Sequence, residues 1–244
     1  MNAVIAEEEG KGYSVLFILA DSDEGRKLLI DDKDLRGKIT DRGLNAIIAE
    51  GEDKGQSVLF LLAGSPERRQ LLIDDAGLQG KITAEGLNAA IPEGKSEGCT
   101  ALFFLASFPE GQQLLINDTG LRGKITVEGL NSVIAEGPDK GKSALQFLAP
   151  FFLPLRPGEL QLIDAEVLRG KITAEGLNYV IPKNPGKGHS LLYFLACTKV
   201  GRQLLIDDAE LRSKITADGL NAVIAEGKDK GVSCLLYTSP SPRD

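Results

Sequence analysis

One stretch recurs down this chain at a nearly fixed distance. Gly80-Lys-Ile-Thr-Ala-Glu-Gly-Leu-Asn88 returns in close variants over residues 37–45, 123–131, 170–178 and 213–221, the last opening on Ser213 instead of glycine. The asparagines at 2, 45, 88, 131, 178 and 221 are 43 residues apart, except for one interval of 47. A period of this size means stacked supersecondary units, none able to bury its apolar face alone. The 244 residues therefore read as a single array of about five units over residues 1–233, in place of one or two globular domains.

Within a unit the local signals point to helices. Ser57 precedes the apolar run Val58-Leu-Phe-Leu-Leu-Ala63, and a serine hydroxyl there can accept an orphan backbone N–H. The run is apolar nearly all round, which predicts a short buried helix. Leu59, Leu62 and Ala63 recur as Leu16, Leu19 and Ala20, and as Leu102, Leu105 and Ala106. The alanines imply close helix–helix contact. Ser65-Pro66-Glu67 starts a second helix with Leu71, Leu72 and Ile73 on its buried face. Asp75 is expected to cap a further short helix carrying Leu78 and Ile82, and Gly86 to end it in the left-handed conformation. Residues 45–55 read as an extended loop or hairpin with its tip at Glu52-Asp53-Lys54-Gly55, where Gly55 suits a positive φ. The fold class is thus all-α: a repeat solenoid of stacked helix pairs with protruding hairpin-like loops.

Two places break the pattern. After Ala149 comes Pro150-Phe-Phe-Leu-Pro-Leu-Arg-Pro-Gly158, whose prolines argue against a regular helix. Phe151, Phe152, Leu153 and Leu155 there would form an exposed apolar patch, read as a partner site, as a loop tucked onto the array, or as a sequencing fault. At the end, residues 234–244 resemble nothing in the earlier units and look like a translated sequencing adapter, expected to be disordered. Met1 stands where other copies carry leucine, so the array is expected to be a fragment, incomplete at both ends.

The order of signals resembles an ankyrin repeat in enlarged form. Gly86-Leu-Asn88-Ala, a polar tip ending in Gly98, Thr100-Ala-Leu-Phe-Phe-Leu-Ala106 and Glu110-Gly-Gln-Gln-Leu-Leu-Ile carry the likeness, which spans residues 1–233. Ankyrin units have about 33 residues, and the surplus here is the Asp75–Thr83 segment. The Pro and His of the ankyrin helix start are absent; Ser57-Val-Leu-Phe stands there instead. A generic helical solenoid is the other architecture these residues fit. Enlarged units of this kind are also similar to repeats of bacterial effector proteins. The resemblance implies a concave surface lined by tips and helix starts.

Chemistry is harder to find. Gly137-Pro-Asp-Lys-Gly-Lys-Ser143 falls one residue short of a phosphate loop between its glycines. The pairs Asp31-Asp32, Asp74-Asp75 and Asp207-Asp208 lie at helix junctions and read as caps, not calcium ligands. His189 is the single histidine, placed in a tip and read as a solvated loop residue. Cys99 and Cys197 have neither disulfide nor zinc spacing. The recurring asparagines read as satisfying loop backbone. With no clustered nucleophile, base or metal set, no enzyme activity and no cofactor are expected. A net charge of −7 supplies no basic stripe for nucleic acid, and no apolar run reaches the roughly 18 residues of a membrane span. The chain is expected to be a cytoplasmic monomer, or one delivered into a host cytosol.

What varies between units is the tips, by neutral drift at exposed sites or to read a partner. The candidate partner-binding residues are Glu52, Asp53 and Lys54; Lys95, Ser96 and Glu97; Pro138, Asp139 and Lys140; Asn184, Lys187 and His189; and Phe151 and Phe152. The expected function is a non-enzymatic scaffold that binds another protein. The alternative is the docking array of a larger enzyme or bacterial effector whose catalytic domain lies outside this sequence.

Overall fold

A computed structural model of the chain describes residues 13–94, 96–152, 165–181, 188–224 and 230–233. Two compact units divide it, Met1–Ser132 and Val133–Asp244. The described residues are mostly helical and contain no strand; an isolated antiparallel bridge joins Val223 to Ser233.

In the first unit each copy of the repeat folds as four short helices. The first copy has α1 (Val15–Asp21), α2 (Asp23–Asp31), α3 (Lys33–Gly37) and α4 (Asp41–Asn45). The second has α5 (Val58–Gly64), α6 (Pro66–Asp74), α7 (Ala76–Lys81) and α8 (Ala84–Asn88). The third has α9 (Ala101–Ser107), α10 (Pro109–Asn117), α11 (Thr119–Lys124) and α12 (Val127–Asn131). The second unit holds α13 (Ala144–Phe152), α14 (Ala165–Gly170) and α15 (Ala174–Asn178). It continues with α16 (Leu191–Cys197), α17 (Lys199–Asp207), α18 (Ala209–Ser213) and α19 (Ala217–Asn221).

Helices this short do not persist alone in water, where roughly 12–15 residues are needed. Caps and packing hold them. Ser57 Oγ accepts from the Phe60 N–H, Ser65 Oγ from Arg68, the Asp75 carboxylate from Leu78, and Thr83 Oγ1 from Gly86. Ser65 and Asp75 each end one helix and cap the next, so the chain turns on a single extended residue. Each such cap contributes about 1 kcal/mol. In the third copy Phe108 replaces the serine, makes no side-chain cap, and leaves Pro109 to start α10.

The caps at Ser57, Ser65 and Asp75 stand where the sequence predicts them; the fourth helix does not. The sequence reading runs the third segment on to Gly86, whereas Thr83 starts α8 and Gly86 lies inside it with an ordinary negative φ. A five-residue helix is too short to show periodicity, and its one local signal is a threonine followed by an acid.

The core runs along the first helix of each copy. Val58, Leu59, Phe60, Leu62 and Ala63 of α5 are all buried, and α5 packs against both α1 and α9. A fully buried leucine contributes about 1.5–3 kcal/mol. The second helix folds back tightly on the first: a Cβ on Gly25, Gly111 or Gly201 would lie 2.5, 2.7 or 2.8 Å from Cα of Leu19, Leu105 or Leu195. Arg68 holds that position in the second copy, and its N–H reaches the Ser65 cap at 3.4 Å, against 3.2 Å for Gly25 and 2.9 Å for Gly201.

The carbonyls left over at helix C-termini are met by side chains that also recur. Arg69, Gln112 and Arg202 donate to the carbonyls of Ala63, Ala106 and Ala196, at the ends of α5, α9 and α16. Arg36 donates to Leu29 and Ile30, and Gln79 to Leu72 and Ile73, closing α2 and α6. Arg36 also pairs with Asp75 of the following copy at 2.8 Å. That contact, assisted by the Leu78 N–H, holds the Asp75 carboxyl below the usual carboxylate range against the opposing effect of its burial.

One correction concerns Pro150. It does not stop the helix: α13 continues through it to Phe152. Pro150 lies in the last turn, where its missing N–H removes one i→i−4 hydrogen bond near the helix end. Leu153 to Gly158 lie outside the described residues.

Candidate interaction surface

The bases of five tips are closed in the same way. Ile48 N–H donates to the Gln56 carbonyl and Gly55 N–H to the Ile48 carbonyl, both at 2.9 Å. The same pair of bonds recurs around Ile91, Ile134, Ile181 and Ile224. All five isoleucines are buried, so each tip is pinned by an apolar anchor at its base. Gly55 has φ +88° as predicted, and a Cβ there would run into Pro92 Cδ of the next tip.

Neighbouring tips of the first unit touch. Tyr13 donates its hydroxyl to Asp53 at 2.9 Å, and Lys54 Nζ lies 2.8 Å from Glu93 Oε1. Burial, then the bond to Asp53, raises the Tyr13 phenol above its ordinary value; the Lys54 ammonium lowers the Glu93 carboxyl.

The candidate residues divide by exposure. Glu52, Lys54, Pro138 and Lys140 stand exposed at their tips. Asp53 and Asp139 are half-buried and bond inward, Asp53 to the Gln56 amide and Asp139 to Lys142 Nζ, both at 2.7 Å. These two aspartates brace the loop. Ser96 and Glu97 are half-buried. Lys95, Asn184 and Lys187 lie outside the described residues, as does the side chain of Phe152; Phe151 is half-buried.

His189 is not the solvated loop residue expected from sequence. Its ring stacks on Phe194, 5.5 Å between centroids, and meets the edge of Tyr193 at 4.9 Å. The physical reason is its place at the base of the tip, where its carbonyl accepts from the Ile181 N–H and its side chain drops onto α16. Lys142 holds the equivalent place over the Phe147 ring, 5.8 Å from the centroid.

That arrangement brings out residues the sequence reading overlooked. One position on each first helix is apolar yet incompletely covered: Ile18, Leu61 and Phe104 in the first unit, Phe147 and Phe194 in the second. Phe194 is 41% exposed and Ile18 47%. The available signal was side-chain variety at this position beside invariant leucine and alanine. In the second unit the tip-closing residue lies against this ring, so tip and helix present one continuous surface there.

A second set of overlooked residues links copies. Asn45 Nδ2 donates to the carbonyls of Asp41 and of Lys81 in the next copy, each at 2.7 Å. Its Oδ1 accepts from the Thr83 N–H at 3.0 Å. Asn88 does the same to Lys124 and Thr126, and Asn178 to Lys214 and Thr216. These asparagines satisfy backbone, as expected, but part of that backbone belongs to the following copy. The same contact explains Gly86. A Cβ on it would sit 2.7 Å from Cβ and Cγ of Asn45, and nearer still to Oδ1.

Arg69 is the unusual charge. It is 1% exposed, with its guanidinium 3.8 Å above the Phe108 ring and Nη1 3.9 Å from Glu110. Among the described residues Nη2 has no hydrogen-bond partner. Burial pulls its pKa down from the ordinary value, and Glu110 and Glu67 oppose the shift.

Among the described residues no three His, Cys, Asp or Glu side chains gather where a metal ion could be held. No described helix is long and apolar enough to cross a membrane. Comparison with protein families, with curated proteins and with solved structures returns no match for this chain.

Proposed function

We propose that this chain is a helical repeat solenoid of ankyrin-like build, and that it works as a non-enzymatic scaffold binding another protein through its tips and the outer side of its first helices. The observation that carries the reading is the contrast between framework and tip. Buried leucines, the caps and the asparagine links recur from copy to copy, while the tip position of Glu52 holds Lys95, Pro138, Pro185 or Lys228 in later copies; two positions on, Lys54 recurs as Lys140, Lys187 and Lys230 but is Glu97 in the third copy. Partly exposed aromatic side chains beside varied polar groups are the composition that protein interfaces favour.

The test is a variant with Glu52, Lys54, Pro138 and Lys140 all changed to serine. Partners are captured by cross-linking with the unaltered chain, and the affinity of the leading one is measured for both proteins. The expected result is an unchanged helical spectrum with binding weakened about tenfold or more. Full affinity in the variant removes the tips from the reading.

A further inference from the structure

We infer that the groove between the second and third copies takes an arginine side chain presented by a partner protein. The place for it is that of an arginine the chain itself omits. Arg36, Arg122, Arg169 and Arg212 occupy one position of the repeat, and Gln79 is the single departure. Where the arginine is present it does two things. Arg36 Nη1 donates to the carbonyls of Leu29 and Ile30, and its Nε donates to Asp75 Oδ2 of the next copy at 2.8 Å. Arg169 and Asp208 repeat the ion pair at 3.6 Å in the second unit. Gln79 does only the first. Its Nε2 donates to the carbonyls of Leu72 and Ile73, and it has no charge to offer Asp118, the counterpart of Asp75.

Asp118 is half-buried, and its Oδ1 accepts from the Leu121 N–H at 3.0 Å. Among the described residues no cation pairs with this carboxylate. The groove beside it holds a second carboxylate, Glu110, and no described cation lines it. Glu110 lies 3.9 Å from Arg69 Nη1 but keeps its side chain 60% exposed. Ile73 and Leu114 supply apolar wall. The volume is about 470 Å³, against about 320 Å³ for the corresponding groove beside Arg36. An arginine suits such a place, because its methylene stem lies along apolar surface while the guanidinium stays with charge. Its planar fork also meets a carboxylate with two N–H groups. The Arg36–Asp75 pair shows the same contact made inside this fold. None of the groove residues belongs to a tip, so this site is distinct from the tips proposed above.

The test titrates the peptide acetyl-Ala-Leu-Arg-Leu-Ala-amide into the full, isotope-labelled chain and follows backbone amide signals by NMR. The expected result is a saturable shift of the Leu114, Asp118 and Thr119 signals. The same peptide with citrulline, which keeps the shape and loses the charge, is expected to bind about tenfold more weakly or worse. Gln79→Arg restores the residue that the other copies carry, so the helical spectrum should be unchanged, and its guanidinium is expected to fill the place and abolish the shifts. Asp118→Asn keeps a capping oxygen and removes the charge, with the same expected loss; it replaces Gln79→Arg if that variant fails to fold. Absence of a saturable shift at these amides overturns the inference, as does equal binding of the citrulline peptide. Undiminished binding to a folded variant also overturns it, because the peptide then sits elsewhere.

Discussion

Two glycines of the recurring stretch, Gly80 and Gly86, look equally constrained in the sequence and are not. Gly80 sits on the exposed side of α7, and a Cβ built on it meets nothing within 4 Å. The same holds for Gly37, Gly123 and Gly170, and Ser213 takes the position in the last copy without disturbing α18. Gly86 sits in α8 with the Asn45 side chain pressed against its Cα, and Gly129 and Gly219 repeat the arrangement with Asn88 and Asn178. Recurrence in a repeat array therefore mixes shared ancestry with physical necessity. What separates them is whether another copy occupies the space.

The largest expected effect tests the crowded glycine. Gly86→Ala forces the methyl into Asn45 and is expected to cost about 3 kcal/mol or more, read by urea unfolding. A loss under about 1 kcal/mol would show that the copies can move apart freely. Asn45→Ala is expected to cost about 2–3 kcal/mol, because it strands the Thr83 N–H and the Lys81 carbonyl. Combining the two changes sharpens the comparison. Removing Asn45 also removes the obstacle, so the double variant should lose less than the sum, by about 1–3 kcal/mol. Strict additivity would mean that the two residues do not act as one contact.

Asp75 comes next. Asp75→Ala removes the α7 cap and the partner of Arg36, with an expected loss of about 1–2 kcal/mol. Its carboxyl is held below the usual value in the folded chain. The stability it adds is thus complete above the unfolded carboxylate pKa, near 4, and is lost as pH falls through the lowered folded value. Asp75→Asn can still cap the helix but does not titrate. Its stability should decline less than wild type across that acid window, and parallel curves would rule out the Arg36 contact as the cause. The smallest effect returns to the open glycine. Gly80→Ala should stabilise the chain by roughly 0.5–1 kcal/mol through helix propensity alone. A destabilisation there would erase the distinction between the two glycines.

Much of the local structure was legible in the residues. Ser57, Ser65 and Asp75 announce helix starts because a cap acts over three residues of chain. Gly55 announces its turn because φ is a property of one residue. Thr83 was passed over because a helix of five residues carries no period. Gly86 was misread for a related reason: a glycine near a helix end has the local look of a left-handed terminator, and the atom that demands it lies 41 positions away, on Asn45. On the surface, the tips were correctly located, but which of their side chains face outward was not. Asp53 and Asp139 turn inward to Gln56 and Lys142, and His189 lies on Phe194.

By itself the sequence determined the period, the mostly helical character, the helix starts at Ser57, Ser65 and Asp75 and the turn at Gly55. All of these follow from interactions within a few residues, repeated until no other reading survives. Only the tertiary structure decided that the recurring asparagine reaches into the next copy, that Gly86 exists to admit it while Gly80 is free to change, and that one apolar position per first helix stays open beside the tips. Those are statements about distances between atoms far apart in the chain, and such distances come into being only when one copy closes on another.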